Sequence, residues 1–416
     1  MGTTRKADVR GGTDGSAGGT PKAGVAGGMA GAIFLMATSA IGPGFITQTT
    51  AFTAQLGAAF AFAIVASILI DVALQSNVWR VIGVSGLRAP ELGNRVLPGA
   101  GHALAALVVL GGLVFNVGNV AGAGLGLEAL LGLPPLAGGL ASAALAIGLF
   151  ASRRAGPAMD RLVVLLGLVM IALTAWVAWT SGPPLGAVLV NAVWPERIDA
   201  LAIVTLVGGT VGGYITYAGV HRLLDAGVAG PAHVRTIARG AVRGVLLTGV
   251  MRVLLFLAVL GVVAGGASLD PRNPAASAFE SAAGEFGLRA FGLILWAAAI
   301  TSVIGASYTS VSFLAGLHPR LEAHRGALVV GFVALSAALY GLAGAPPVAL
   351  LVFAGAFNGL ILPLGVGLLL WAALRRPDLL PGYAHPRWLA WAGVAAWAVT
   401  VWLAWVALGG LAKLFD

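Results

Sequence analysis

The chain has no cysteine and very few charged residues. Without cysteine there can be no disulfide framework, no thiolate metal site and no catalytic thiol. Charged residues make up 9% of the 416 positions, whereas roughly a quarter is usual in soluble domains. Hydrophobic residues make up 59%, and the mean hydropathy is +0.95. This balance excludes a soluble domain and indicates a polytopic membrane protein.

Apolar runs of about 20 residues predict transmembrane helices. We count eleven spans, and residues 1–23 are expected to form a disordered cytoplasmic tail. The loops are too short for an ATPase or another enzyme domain, so we expect no enzyme activity and no cofactor. The approximate limits of the spans are 27–56, 58–79, 103–127, 136–152, 160–181, 200–224, 240–266, 288–316, 326–343, 347–373 and 387–409.

The Lys and Arg residues support this topology, because they accumulate in cytoplasmic loops. With the N-terminus inside and the C-terminus outside, only Arg197, Arg272, Arg289 and Lys413 fall outside, and Arg252 falls within a span. The remaining nineteen of the 24 basic residues fall on the cytoplasmic side. The net charge of +9 is therefore a topology signal and does not indicate nucleic-acid binding. We expect a multi-pass protein of the bacterial cytoplasmic (inner) membrane.

Two of the apolar runs contain helix breakers. The first run contains Gly42-Pro43-Gly44, and the sixth contains Gly208-Gly209 and Gly212-Gly213. Proline removes a backbone donor, and glycine allows the backbone to leave helical geometry. Transporters built from inverted repeats interrupt equivalent helices in both halves. The two breaks therefore predict a binding site near the middle of the membrane.

Spans one to five and six to ten then form two units of opposite orientation. We predict repeat 1 over residues 24–182, repeat 2 over 199–373, and an appended helix at 387–409. This is an all-α polytopic membrane protein with the LeuT-type five-plus-five inverted repeat. Alternating access around a site between the two broken helices is the expected mechanism.

Three stretches carry a family resemblance: Gln75 to Gly86 at the end of span two, Arg153-Arg154-Ala155-Gly156 at the start of span five, and Ser302 to Leu317 in span eight. On these residues the chain resembles the Nramp family of divalent metal transporters across its membrane region. The resemblance implies secondary transport across the lipid bilayer, with a co-transported ion, Na⁺ or H⁺.

The family's functional motifs are replaced in this chain. The ligand motif Asp-Pro-Gly-Asn falls on Gly42 to Phe45, so both metal ligands are absent. In span six, Gly212 and Tyr214 stand where the family has its thioether and its imidazole. The carboxylates of the family's proton pathway fall on Asn116 and Asn119, and the arginine of span nine is missing. A bare transition metal therefore lacks partners, and we predict no metal site.

These replacements favour a small organic acid or lactam. The amides and the positive dipole end after the first break favour an anionic group, while hydroxyl, amide and aromatic side chains offer further contacts. Alternatively, the Thr and Gln side chains satisfy freed backbone groups and the aromatic rings are core. The predicted substrate-binding residues are Gly42, Gly44, Phe45, Thr47, Gln48, Gly209, Gly212, Tyr214 and Tyr217.

The whole match is most similar to a divergent bacterial branch of Nramp-like proteins, whose genes often lie beside those for 5-oxoprolinase subunits. The resemblance thus implies 5-oxoproline as cargo. One alternative is a divalent cation of the Mn, Mg or Fe type, carried through a non-standard or hydrated-ion site. A sensor or scaffold that does not transport is the other.

Two charged residues lie within spans, Asp71 in span two and Arg252 in span seven. Unpaired intramembrane charges are rare, so we expect these two to form an ion pair, with either a structural role or a part in coupling. The hydroxyls of span eight, at Thr301, Ser302, Thr309 and Ser310, either support sodium coupling or serve helix packing.

Overall fold

The computed structural model describes residues 29–411 apart from 30, 34, 35, 38, 152–155, 316 and 317. The predicted tail and most of the Arg153–Gly156 motif lie outside the described residues. The described part is helical and contains no strand. Helical residues from 29 to 40 precede the named elements, which are α1 Pro43–Leu56, α2 Phe60–Ser85, α3 Ala89–Val96, α4 Ala100–Leu131, α5 Pro135–Ala151, α6 Gly156–Thr180, α7 Leu185–Val193, α8 Ala200–Val211, α9 Ile215–Asp225, α10 Val234–Ala264, α11 Pro274–Ala315, α12 Pro319–Ala323, α13 Arg325–Ala343, α14 Pro347–Arg375 and α15 Arg387–Leu411.

A helix stands at each of the eleven predicted spans. By length and hydropathy, eight helices of the described residues can cross a membrane, or nine if α6 and α7, bent by 108°, count as one span. This count treats α1 and α2 as one helix and omits α5, which has only 17 residues. Helix α11 begins at Pro274, before the predicted eighth span, and a kink at Gly284 (φ 62°) separates this first helical segment from the span itself.

Helices that occupy equivalent places in the two predicted repeats pack against each other. The pairs are α2 with α10, α4 with α11, and α5 with α13, and the broken helices meet through α1 and α8. A two-fold relation between repeats brings equivalent helices together in this way. Helix α14 packs on α1, α4 and α8, so the breaks lie at the centre of the bundle. The repeat boundaries themselves stay a prediction.

Glycines of α4 allow this close packing. A Cβ built on Gly122 would lie 2.2 Å from the Cβ of Pro43, and one on Gly126 would lie 2.5 Å from the backbone nitrogen of Trp296. Carbon atoms that are not bonded cannot approach so closely, so only glycine fits. The glycine-rich stretch of α4 therefore serves helix packing, and it holds the first break against α4.

The end of the bundle that is predicted to face the cytoplasm carries a chain of charged contacts. Arg88, at the start of α3, makes an ion pair with Asp225 at the end of α9. The hydroxyl of Tyr308 in α11 lies 3.4 Å from the same carboxylate. The guanidinium of Arg325, which begins α13, lies 4.4 Å from the centre of the Tyr308 ring. Four elements are thus joined at this end.

We predict that Gly122→Ala destabilises the protein by about 1–3 kcal/mol, the usual cost of overpacking. The added methyl group meets Pro43 and must push α4 away from the first break. The matched control is Gly148→Ala, in α5, where a Cβ has no neighbour within 4 Å. There the alanine should leave stability unchanged or raise it by roughly 0.5–1 kcal/mol, because alanine favours a helix over glycine. Thermal unfolding in detergent compares the two, and equal melting temperatures would contradict the packing account.

Candidate substrate site

The first break lies at Ile41 and Gly42, directly before Pro43, the first residue of α1. A Cβ built on Gly42 would lie 2.6 Å from Oγ of Ser302 and 3.7 Å from Oδ1 of Asn119. Side chains of α11 and α4 thus close around the backbone here. A side chain at this position would require the Ser302 hydroxyl to turn away.

The second break lies at Gly212 and Gly213, between α8 and α9. Gly213 has φ +52°, in the left-handed region, and a Cβ there would lie 1.8 Å from Oδ1 of Asn358. Asn358 donates from Nδ2 to the carbonyls of Gly111 (3.0 Å) and Ala354 (2.8 Å). This residue of α14 therefore links α4 to the second break. The sequence analysis did not single out Asn358, although a lone asparagine in an apolar span could have indicated a structural or functional role.

Gln48 of α1 fills the space between α8 and α14. Its Nε2 donates to the carbonyl of Leu351 at 2.8 Å. A Cβ on Gly209 would lie 2.3 Å from Oε1, and one on Gly355 would lie 2.3 Å from Nε2. Glycine on both sides makes room for the amide. The side chain is fully buried, and Oε1 has no hydrogen-bond partner within the described residues.

A group of unsatisfied polar atoms lies beside the first break. Both amide atoms of Asn119 and the hydroxyl of Tyr214 are buried and make no hydrogen bond of acceptable geometry to the described residues. The Tyr214 hydroxyl faces the Asn119 side chain. The Phe115 ring packs edge-on at 5.7 Å from the Tyr214 ring, and a Cβ on Gly44 would touch it at 3.5 Å. An orphaned polar group costs about 1–3 kcal/mol; the Tyr214 hydroxyl and the Asn119 side chain can partly satisfy each other, and their remaining hydrogen-bonding positions are open to water or a bound molecule.

The structure brings part of the predicted site together. Gly42, Gly44, Gln48, Gly209, Tyr214 and Asn119 adjoin one another around the breaks. Gly212 lies in the turn of the second break, where a Cβ would collide with the Gly208 carbonyl at 2.4 Å. Thr47 is buried on α1, and its part in binding stays a prediction.

Two of the predicted aromatic residues have other neighbours. Phe45 lies under the Arg252 guanidinium, 5.1 Å from the ring centre. Tyr217 packs on Phe313, with ring centres 5.2 Å apart, further along α9. The aromatic partner of Tyr214 is Phe115, which sequence reasoning did not single out.

Asn116 holds helices together. Its Nδ2 donates to Ser307 of α11 (3.1 Å) and to Ser336 of α13 (3.0 Å). The position where the family has a proton-pathway carboxylate thus carries a neutral amide that joins three helices.

Asp71 and Arg252 form no direct salt bridge in the described residues, and their pairing at longer range stays a prediction. Ion pairs with N–O distances up to 4.0 Å occur in the described residues, but not between these two. Arg252 instead donates to Ser67 Oγ at 2.7 Å and to the Leu206 carbonyl at 3.3 Å, and Thr210 donates to Asp71 Oδ2 at 2.7 Å. Neutral groups of α2 and α8 thus take the places of direct partners, and the two charges attract each other at longer range.

The described residues contain no group of three or more His, Cys, Asp or Glu that could hold a metal ion. Around the first break a cation would meet amide, hydroxyl and carbonyl oxygens. Such a set suits a neutral or anionic organic molecule better than a dehydrated dication, which requires a compensating anion.

We predict that Gly213→Ala destabilises the protein more than Gly227→Ala. Both glycines have positive φ (52° and 73°), but a Cβ meets Asn358 Oδ1 only at Gly213, whereas Gly227 has open space. The strain of positive φ costs both variants about 1–2 kcal/mol, and the collision adds to it at Gly213. Thermal unfolding measures the difference, and the double variant Gly213→Ala, Asn358→Ala should recover part of it. Equal losses in the two single variants would show that Asn358 does not constrain the break.

Comparison with known proteins agrees with this architecture. The chain is 53% identical over 363 residues to the uncharacterized membrane protein YcsG of Bacillus subtilis, covering 87% of this chain and 89% of that protein. It is 51% identical over 374 residues to an uncharacterized membrane protein of Haemophilus influenzae, covering 90% and 93%. The crystal structure of an Eremococcus coleocola manganese transporter in complex with an aromatic bis-isothiourea substituted compound has a TM-score of 0.71 at 17% identity, covering 94% of this chain and 87% of that one.

That structural likeness shows the fold, which is the LeuT-type fold of an all-helical polytopic membrane protein. The family description "Nramp: Natural resistance-associated macrophage protein-like" matches residues 33–409, nearly the whole membrane region. The chain therefore belongs to the Nramp family.

Proposed function

We propose that this Nramp-family transporter carries a small organic acid or lactam of the 5-oxoproline type, by alternating access around the two helix breaks. The observation that carries the proposal is the group of unsatisfied polar atoms on Asn119, Tyr214 and Gln48. Together these atoms offer an amide donor, two amide acceptors and a phenolic hydroxyl in a buried place. A lactam presents the complementary N–H and C=O groups.

The start of α1 supports an acidic group on the cargo. The amide of Ile46 donates to the Gly42 carbonyl, so the amides of Gly44 and Phe45 precede the helical ladder. Such amides have no partner within the helix, and the helix dipole is positive at this end. A carboxylate on the same molecule as the lactam suits these groups.

The family resemblance alone would favour a divalent cation, since the structurally similar Eremococcus protein is a manganese transporter. The residues of this chain argue against that cargo, because both positions of the ligand motif and the thioether and imidazole positions carry other residues. The proposal places the protein in the bacterial cytoplasmic membrane, with its N-terminus inside and its C-terminus outside, as the distribution of basic residues predicts.

We predict that 5-oxoproline stabilises the purified protein and that Mn²⁺ and Mg²⁺ do not. A ligand that binds only the folded state adds about 2.7 kcal/mol of stability at a hundredfold excess over Kd. The measurement is thermal unfolding with each compound, with and without Na⁺, followed by uptake into proteoliposomes. Stabilisation by a divalent cation alone would overturn the proposed cargo. Binding without flux would instead indicate a sensor.

We predict that Tyr214→Phe weakens binding of 5-oxoproline about fivefold, the worth of one hydrogen bond of about 1 kcal/mol. Asn119→Leu, which removes two hydrogen-bonding groups, should weaken it further. The matched control is Tyr340→Phe, because Tyr340 packs in a separate cluster with Val333 and Val303. Binding isotherms measure all three. If Tyr340→Phe and Tyr214→Phe change the affinity equally, the site lies elsewhere.

A further inference from the structure

We infer that Asp71 binds the proton that couples transport, and that the bound cargo anion replaces Asp71 as the counter-charge of Arg252. This inference rests on the proposed function in one respect, because it requires an anionic cargo. It concerns residues other than Asn119 and Tyr214, and the two places meet at Phe45, whose amide is offered to the cargo carboxylate and whose ring packs under the Arg252 guanidinium.

Between them, the two charged residues contact both broken helices, Asp71 through Thr210 of α8 and Arg252 through Phe45 of α1. Asp71 on α2 and Arg252 on α10 are 2% and 1% exposed. Thr210, which donates to Asp71, lies two residues before the second break. Phe45, which packs under the Arg252 guanidinium, lies three residues after Gly42 of the first break. A change of charge at this centre therefore acts on both breaks.

Each member of the pair keeps a hydrogen-bonding position open. Asp71 Oδ2 accepts from Thr210, while Oδ1 has no partner in the described part of the chain. On Arg252, the Nε donor likewise has no partner there. One free lone pair is enough to bind a proton. A sodium ion would need a shell of oxygen ligands, but Thr210 and Arg252 turn donors toward this region.

Other charges do not compete for the role. The elements packed on α2 include α1, α7, α8, α9, α10, α14 and α15. In the described residues, the charged group that acts on Asp71 is Arg252 of α10, and α8 contributes the Thr210 hydroxyl. The charge of the centre therefore depends on Asp71, Arg252 and whatever anion joins them.

Charge balance then links the proton to the cargo. Without cargo, the carboxylate of Asp71 and the guanidinium of Arg252 sum to zero. A cargo carboxylate alone would leave a net negative charge in a buried place, which is costly. If an O–H bond forms at Asp71 with a proton from one side of the membrane, the sum returns to zero. Cargo and proton then leave together on the other side, and nothing is oxidised or reduced.

Protonation also changes the mechanical link between helices. The Thr210 hydroxyl has one proton to share between Asp71 Oδ2, at 2.7 Å, and the Leu206 carbonyl within α8, at 2.9 Å. Hydrogen bonds to an ionised group are roughly twice as strong as neutral ones. A neutral Asp71 therefore holds α8 less tightly to α2, directly before the second break.

The first test measures binding of 5-oxoproline across a range of pH by wild type, Asp71→Asn and the control Asp378→Asn. Asp378 is an exposed residue paired with Arg376. The wild-type Kd should rise about tenfold per pH unit above the pH at which Asp71 is half protonated, as one linked proton requires. Asp378→Asn should show the same slope, and Asp71→Asn should bind independently of pH. A wild-type slope in Asp71→Asn, or no slope in wild type, would overturn the inference.

The second test needs no cargo. Infrared difference spectroscopy of the empty protein should show a carboxylic-acid band that titrates in wild type and is missing in Asp71→Asn. Absence of the band in wild type would overturn the inference even if 5-oxoproline is transported. If the band titrates but 5-oxoproline neither binds nor crosses the membrane, the proposed cargo fails and the proton site stands. Accumulation driven by a Na⁺ gradient without a pH gradient would also overturn the inference. The wild-type measurements decide the matter even if Asp71→Asn fails to fold.

Discussion

A bilayer offers no water to an interrupted helix, so the backbone groups freed at a break must meet protein groups or a polar cavity. The whole centre of this protein is arranged around that requirement. Glycines of α4, α8 and α14 let neighbouring helices approach the breaks almost to backbone contact. Pro43 packs on Gly122, and the amide of Gln48 fits between Gly209 and Gly355. Close packing therefore covers the breaks without filling them with large side chains.

Charged side chains are likewise few within the spans. The family's metal ligands and its proton-pathway carboxylates are absent from the expected positions, and what remains within the spans is one carboxylate and one guanidinium. Ser67 accepts a hydrogen bond from Arg252, and Thr210 donates one to Asp71, so a neutral group satisfies part of each charge. A pair joined indirectly in this way retains hydrogen-bonding capacity that a direct ion pair would use up. The proposed cargo and the proposed coupling site both depend on that capacity.

The sequence was sufficient for the spans and the breaks because both are local properties. Hydrophobic length sets a span, and proline and glycine set a break. Contacts between distant residues could not be predicted in this way. Asn358 reaches the second break across the fold, and Phe45 turns to Arg252 rather than to Tyr214. The partners of Asp71 and Arg252 could not be predicted either, because composition gives the charges but does not show which hydroxyl groups bind them.

Gly284 shows a further limit, since its positive φ kinks α11 between the segment that begins at Pro274 and the predicted eighth span. Single residues of this kind alter the course of a helix without altering the composition of a span. Such kinks are seen in the backbone dihedral angles and cannot be predicted from hydropathy.

The contacts that join Arg88, Asp225, Tyr308 and Arg325 are individually weak. Arg88 and Asp225 keep 26% and 23% of their side chains exposed, and ion pairs near a surface contribute only about 0–1 kcal/mol. The ion pair and the Tyr308 contact therefore contribute little to the attachment of α9, which is held on α3 and α11 by a buried hydrogen bond from the Ala89 amide to Nε2 of His221 and by the packing of Tyr217 and His221 on Phe313. Because dissolved salt screens such charges, the strength of these charged contacts depends on the ionic strength of the solution that bathes this end.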